Sequence, residues 1–198
     1  SVEVIVNKNS LKPVSAIQNN STDMFVADVG WGLIDYYKDQ RLSKGNNPFS
    51  SDVYSTSSRN DKVFVASGTL LSGVVADYNI NGFYYFTENR WYNVNKFNTD
   101  GLNNVLNFID VKENPLNSKV YAGTTSGLIS YDYTKIEVFD ESNSLLELQT
   151  VGSNNYVVGL DFDSKGNVWM ANSHTNRAVK VMDKAGEFYD SEMKQFED

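Results

Sequence analysis

Asp161, Asp163 and Gly166 fall at the offsets of a calcium-loop pattern, D-x-D-x-x-G, within VVGLDFDSKGNVWMANS at 157–173. A calcium loop needs oxygen ligands at its first, third and fifth positions and a bidentate Glu at its twelfth. Here Lys165 holds the fifth position and Asn172 the twelfth. A cation therefore opposes the metal, and the bidentate carboxylate is missing. The same letters read as a β-hairpin in which the Asp163 side chain braces the Ser164–Asn167 turn. The spacing predicts a hairpin and no metal.

Nucleophilic and acid–base chemistry find little support. His174 is the single histidine, and a Ser-His-Asp hydrolase needs such a His beside a nucleophile and an orienting acid. Ser173 next to it sits in no G-x-S-x-G elbow. Cysteine is absent, which removes disulfides, thiolate zinc sites and cysteine nucleophiles together. A glycosidase needs two carboxylates facing each other across a cleft, about 5 to 10 Å apart. Asp28, Asp35, Asp77, Asp132, Asp161 and Asp163 all lie in or beside predicted strands, where solvated strand ends account for them as well as a catalytic pair does. No enzymatic activity and no cofactor are expected.

Aromatic side chains are the better signal, and it is one of binding. Trp31 stands between two glycines in VGWGL, while Trp91 and Tyr92 open an outer strand. Such platforms suit sugar rings, although packing between neighbouring sheets is the commoner use for them. The candidate ligand-contacting residues are Trp31, Asn172 and His174.

The elements that must position these residues repeat along the chain. MFVAD at 24–28, VFVAS at 63–67, VYAGT at 120–124 and VWMAN at 168–172 each read apolar, aromatic, apolar, small, small-polar. Their aromatics Phe25, Phe64, Tyr121 and Trp169 are 39, 57 and 48 positions apart, intervals that bracket a four-stranded propeller blade. A β-prone stretch and a polar turn precede each segment, and a third strand follows it. A fourth strand follows in three cases: RWYNV, KIEVF and EFYD. The small residues Ala27, Ala66, Gly123 and Ala171 suit strands that converge near an axis, with the aromatic filling the gap between sheets.

This predicts an all-β chain, a β-propeller of antiparallel blades over about 11–50, 52–98, 105–142 and 156–198. Residues 1–10 (VEVIV) read as a strand of a preceding or closing blade. Residues 68–81 read as a loop, and LLELQ at 145–149, the best helix signal, is too short to stand alone. Four blades are few for closure, so part of a larger propeller is expected, with exposed blade edges that invite dimerisation. The start at Ser1, without an initiator Met or signal peptide, suggests a mature, trimmed or dissected chain. A formal net charge of −8 with 17 scattered basic residues excludes a nucleic-acid surface. No apolar run approaches the length of a membrane-spanning helix.

The run Asp163-Ser-Lys-Gly166-Asn167-Val168-Trp169-Met170-Ala171-Asn172 resembles the propeller repeats of periplasmic two-component sensors in Bacteroidetes, D-x-x-G-N-[IL]-W-[IV]-[AG]-[TN]. Tyr121 to Leu128 matches the second half of that repeat. The succession FVADVGWGLI, NPFSSDVYS, VFVASG, GFYYFTENRWYNV, VYAGTTSGLISYD, ESNSLLEL and VVGLDFDSKGNVWMANS is similar to the PorZ-type surface components of type IX secretion systems. Asn143 to Leu146 departs from it, with Leu145 where a proline is usual. The resemblance implies an exported, non-enzymatic scaffold at the cell surface or in the periplasm of a Gram-negative bacterium. Its implied partners are other secretion proteins and anionic polysaccharide, and the family pattern offers no catalytic residues. The sensor repeats imply the alternative, a glycan-sensing periplasmic domain.

Overall fold

The computed structural model describes residues 12–20, 22–29, 32–38, 40–43, 46–71, 75–76, 78–150 and 154–190. Trp31, Asp77 and the expected strand at 1–10 lie outside them. The chain divides into two compact units, residues 1–47 and 48–198. Every helix or strand among the described residues is a strand.

The first unit holds one antiparallel sheet in the order β1 (Pro13–Asn20), β2 (Asp23–Asp28), β3 (Gly32–Asp35), β4 (Gln40–Ser43). Met24 and Val26 alternate with Phe25 along β2 and join Ile34 in a small buried cluster, as a period of two requires. The fourth strand, β4, had no signal in the sequence; QRLS carries neither an aromatic nor an apolar alternation.

The second unit holds three further four-stranded sheets. The second sheet runs β5 (Ser55–Arg59), β6 (Lys62–Ala66), β9 (Phe83–Thr87), β10 (Arg90–Val94). Its two tight turns, Asn60-Asp61 and Glu88-Asn89, hold φ of 46° and 59°, and 50° and 60°. Paired positive φ values make two-residue hairpins whose twist matches the strands, and Asn and Asp tolerate that region best. Between β6 and β9 the expected loop contains a small hairpin, β7 (Leu70–Leu71) with β8 (Val75–Ala76). The third sheet is β11 (Phe108–Glu113), β12 (Val120–Thr124), β13 (Gly127–Tyr131), β14 (Ile136–Phe139). The fourth is β15 (Val157–Phe162), β16 (Val168–Asn172), β17 (Val179–Met182), β18 (Phe188–Asp190). LLELQ is irregular.

These three sheets stack face to face. Phe64 and Phe83 of the second sheet share a core with Val111, Val120 and Ile129 of the third. Tyr121 and Leu128 of the third share another with Leu160, Val168 and Met170 of the fourth. Polar clips join the first strands of consecutive sheets. Ser55 and Ser57 Oγ donate to the carbonyls of Ile109 (2.8 Å) and Val111 (2.5 Å). The backbone N–H of Leu160 donates to Asp110 Oδ2 at 2.9 Å, and Lys112 Nζ donates to the Leu160 carbonyl. Close approach explains a glycine: a Cβ on Gly123 would meet the Val157 carbonyl oxygen at 2.4 Å.

Candidate functional site

Cross-strand register lines up one row of side chains on the same face of each stacked sheet. The rows are Ser57, Phe64, Tyr85 and Tyr92 in the second sheet, and Lys112, Tyr121, Ser130 and Glu137 in the third. The fourth carries Asp161, Trp169, Val181 and Tyr189. Phe64 is 0% exposed and Tyr121 4%, each covered by the sheet that follows. Trp169 is 40% exposed and Tyr189 53%. In the first unit, Phe25 is half-buried. The repeated aromatic is thus core at two positions and surface at a third.

Asp163 organises the edge of that open face. Its Oδ1 accepts the backbone N–H of Lys165 (2.9 Å) and Asn167 (3.0 Å). Its Oδ2 accepts the Asn167 side-chain amide (2.8 Å) and the Trp169 indole N–H (3.2 Å). Gly166, at φ 82°, closes the turn. Partial burial works against the charge, but the donors from Trp169, Asn167 and Lys165 prevail and lower the carboxyl to about 2. The next hairpin repeats the device. Asp183 accepts the N–H of Ala185 (2.8 Å) and Glu187 (3.0 Å), Gly186 has φ 90°, and the Tyr189 hydroxyl donates to Asp183 Oδ2 at 3.4 Å. Sequence reasoning missed this second bracket. Its signal was an Asp-x-x-Gly with an aromatic three residues further, at 183–189 as at 163–169.

Asn172 is fully buried, and its amide is spent inside the protein. It donates to the carbonyls of Glu147 (3.1 Å) and Tyr156 (3.2 Å) and to Asn155 Oδ1 (3.4 Å), and accepts the Glu147 N–H (2.7 Å). With 0% exposure it has no surface for a ligand; it ties a strap at Glu147, Asn155 and Tyr156 to β16. His174 is exposed at φ 60°. Its carbonyl accepts the Thr150 N–H at 2.9 Å, and its ring sits edge-on to Tyr156, centroids 6.3 Å apart. Among the described residues, no hydrogen bond joins the His174 ring to a nucleophile; its ring contact is with Tyr156. Lys180, 1% exposed, reinforces the same strap through Glu147 and Asp190, both at 2.5 Å, and Asp190 also pairs with Arg177.

The acidic residues are engaged in turns and pairs. A hydroxyl bond from Thr134, then the N–H groups of Lys135 and Thr134, lower Asp132 to about 2. Asp35 is lowered by the Lys38 ammonium at 2.8 Å. Carboxyls held this low stay ionised at neutral pH, so none of the three suits the general acid of glycoside hydrolysis. Among the described residues, no three His, Asp or Glu side chains converge to hold a metal ion.

Among the described residues of the second unit, two adjoining concavities are large enough for a ligand. A cleft of about 580 Å³ lies beside Asn98, Asp100, Gly101, Tyr131 and Lys135. A second, of about 400 Å³, adjoins it at Gly101 and reaches Asn104 and Asp140. Its lining is polar and of mixed charge, and no sequence motif marked it.

No protein-family model and no curated protein matches the chain. Solved structures do. PorZ, described as an essential bacterial surface component of the type IX secretion system of Porphyromonas gingivalis, superposes with a TM-score of 0.66 at 18% identity over 88% of this chain. The extracellular domain of a putative hybrid two-component system of B. thetaiotaomicron gives 0.52 at 16% identity over 88%. A further structure of that extracellular domain, described there as a putative one-component system, gives 0.50 at 15% over 95%. The chain spans 25%, 21% and 23% of those longer proteins. At these identities the likeness is one of fold: four-stranded antiparallel sheets of the propeller type, as in PorZ.

Proposed function

We propose that this chain is a non-enzymatic, exported propeller scaffold, a module of a type IX secretion cargo-attachment complex that binds partner proteins and anionic polysaccharide. Each four-stranded sheet serves as one blade, over about 11–50, 52–98, 105–142 and 156–198. The observation that carries the reading is the PorZ likeness, with a TM-score of 0.66 across 88% of the chain. The order of the sequence segments supports the same choice. A scaffold role also agrees with where the polar side chains go: Asn172, Lys180, Asp163 and Asp183 are all committed to bracing loops.

Affinity purification of the intact protein tests it. Recovery of a surface protease of the sortase-like kind with an outer-membrane barrel protein is the expected result. Recovery of no secretion component overturns the reading.

The likeness to a two-component extracellular domain favours a second reading, a periplasmic glycan-sensing propeller. There the polar cleft at Gly101 would receive the sugar. Isothermal titration with a panel of oligosaccharides decides it: binding lost in Asp100→Ala supports the sensor, and no heat across the panel removes it.

A further inference from the structure

β14 ends the third sheet, and the two adjoining concavities run along it. Tyr131, Lys135 and Ile136 border the larger, Val138 and Asp140 the smaller, and the two meet at Gly101. Every lining residue lies between 98 and 140, inside the second unit. Hydrogen-bonded and open pairs alternate along an antiparallel ladder. A Cβ on Gly127 would meet the Phe139 carbonyl oxygen at 2.1 Å, so Phe139 turns that oxygen towards β13. At the other end, the Asp132 N–H donates to the Lys135 carbonyl at 3.3 Å. Glu137, midway between them and opposite Ser130, is bonded in the same phase. Ile136 and Val138 therefore point their N–H and C=O groups away from β13. The Val138 carbonyl accepts the Asn143 side-chain amide at 2.9 Å. The Ile136 N–H and carbonyl and the Val138 N–H have no partner among the described residues.

Charge sets the kind of strand that fits. Lys135 is spent on Glu137 at 3.3 Å. Asp100 in the larger concavity and Asp140 in the smaller form no salt bridge among the described residues. Asp140 Oδ1 takes the Ser142 N–H (2.8 Å) and hydroxyl (2.5 Å), which leaves Oδ2. We infer that this edge takes an extended segment of a partner protein, added as a strand beside β14, with basic residues two apart over Asp100 and Asp140. An antiparallel strand exchanges two hydrogen bonds with Ile136 and gives one carbonyl to the Val138 N–H. Its side chains opposite Ile136 and Val138 fall on the same side as theirs. The concavities lie on that side, since Ile136 and Val138 line them and Glu137 does not. A second copy fits poorly, because its own β14 would set Glu137, Asp100 and Asp140 against the same three residues. An anionic polysaccharide meets the same two carboxylates and fits no better. The assignment stands whichever complex the chain belongs to.

Fluorescence anisotropy with the intact protein tests it. The probe is a fluorophore-labelled peptide, acetyl-Thr-Lys-Val-Lys-Thr-amide, beside one with Glu for both Lys and one methylated on both lysine backbone nitrogens. The Lys peptide is expected to bind with a Kd below about 1 mM. Backbone methylation should weaken it at least about tenfold by removing the donor to the Ile136 carbonyl. Asp100→Asn combined with Asp140→Asn should weaken it at least about threefold, and added salt should act the same way. Amide exchange at Ile136 and Val138 should slow when the peptide is added. No binding up to millimolar peptide overturns the inference, as does equal affinity for the methylated or the Glu peptide. Displacement by an oligosaccharide of the panel above, with exchange at Val138 unchanged, overturns it and gives the cleft to the sensor reading. Doubling of the mass with loss of peptide binding overturns it too, and places a second copy on the edge. None of these results bears on which secretion proteins co-purify.

Discussion

The two stacked interfaces of the second unit share a backbone plan and differ in chemistry. Between the second and third sheets, rings do the filling. Phe83 lies 5.7 Å from Phe108, Tyr85 is stacked on Tyr92 at 4.9 Å, and Tyr133 stands edge-on to Tyr85 at 5.5 Å. Between the third and fourth sheets, the buried filling around Tyr121 is aliphatic and methionine (Leu160, Val168, Met170 and Met182), with rings kept to its partly buried margin, where Phe162 lies 5.8 Å from Tyr121 and Phe139 5.4 Å from Phe188. The clips differ in the same sense: neutral serine hydroxyls at the first interface, charged Lys112 and Asp110 at the second. Repetition of the fold therefore constrains where a large side chain goes and which strand carries the clip, and leaves the kind of side chain free.

That contrast can be broken most forcibly in the cores. Phe64→Ala should cost about 4 kcal/mol and Met170→Ala about 2–3 kcal/mol, because a rigid ring leaves the larger cavity and flexible Met neighbours collapse more readily. Urea melts of both variants measure it; equal losses would mean that the two cores pack alike. A smaller effect is expected at the charged flank of the first interface. There Glu113 accepts Lys62 Nζ (2.6 Å) and the Tyr133 hydroxyl (2.5 Å) with its carboxylate almost wholly buried. Glu113→Gln should cost about 2 kcal/mol by leaving the Lys62 ammonium without its countercharge, with the Tyr133 hydroxyl (3.0 Å) still beside it. Among the clips, Lys112→Met should cost more than Ser57→Ala, about 1.5 against about 1 kcal/mol, and only the Lys112 loss should shrink in high salt.

The smallest effects are those of pH, and they separate the two regions by direction. Burial, with charge from Tyr131 and Tyr92, pushes Tyr85 from 10.0 to about 12. A raised folded-state value stabilises fully below pH 10 and is lost as the pH rises towards 12. Absorbance at the tyrosinate band should show this late titration, smaller by one tyrosine's amplitude in Tyr85→Phe, while Tyr131 and Tyr133, also raised by burial, keep the rest. Asp163 runs the other way, from 3.8 to about 2. Its contribution is present above about pH 4 and is lost as the pH falls towards 2, which Trp169 emission should follow.

Strand existence was legible wherever alternation and an aromatic coincided, as in VFVAS, VYAGT and VWMAN. What sequence could not give was the third dimension of that pattern. Phe64 and Trp169 occupy the same repeat position, yet one is buried and the other open, because burial depends on whether a neighbouring sheet stands opposite. β4 escaped because QRLS has neither the alternation nor the aromatic that marked the other strands. Asn172 was read as a ligand residue because a polar side chain at a strand end is ambiguous; only the buried carbonyls of Glu147 and Tyr156 reveal what it satisfies.

The Asp163 and Asp183 brackets bear on the order of assembly. Each links groups no more than six residues apart, and hairpins closed by such local bonds form in microseconds. The clips between sheets join residues 54 and 50 positions apart, so they pay a much larger loop-closure entropy and come later. Each sheet can therefore fold as it emerges from synthesis, and the slow step is stacking. Variants in the brackets should alter early amide protection within one sheet, while Phe64 and Leu160 variants set the overall folding rate.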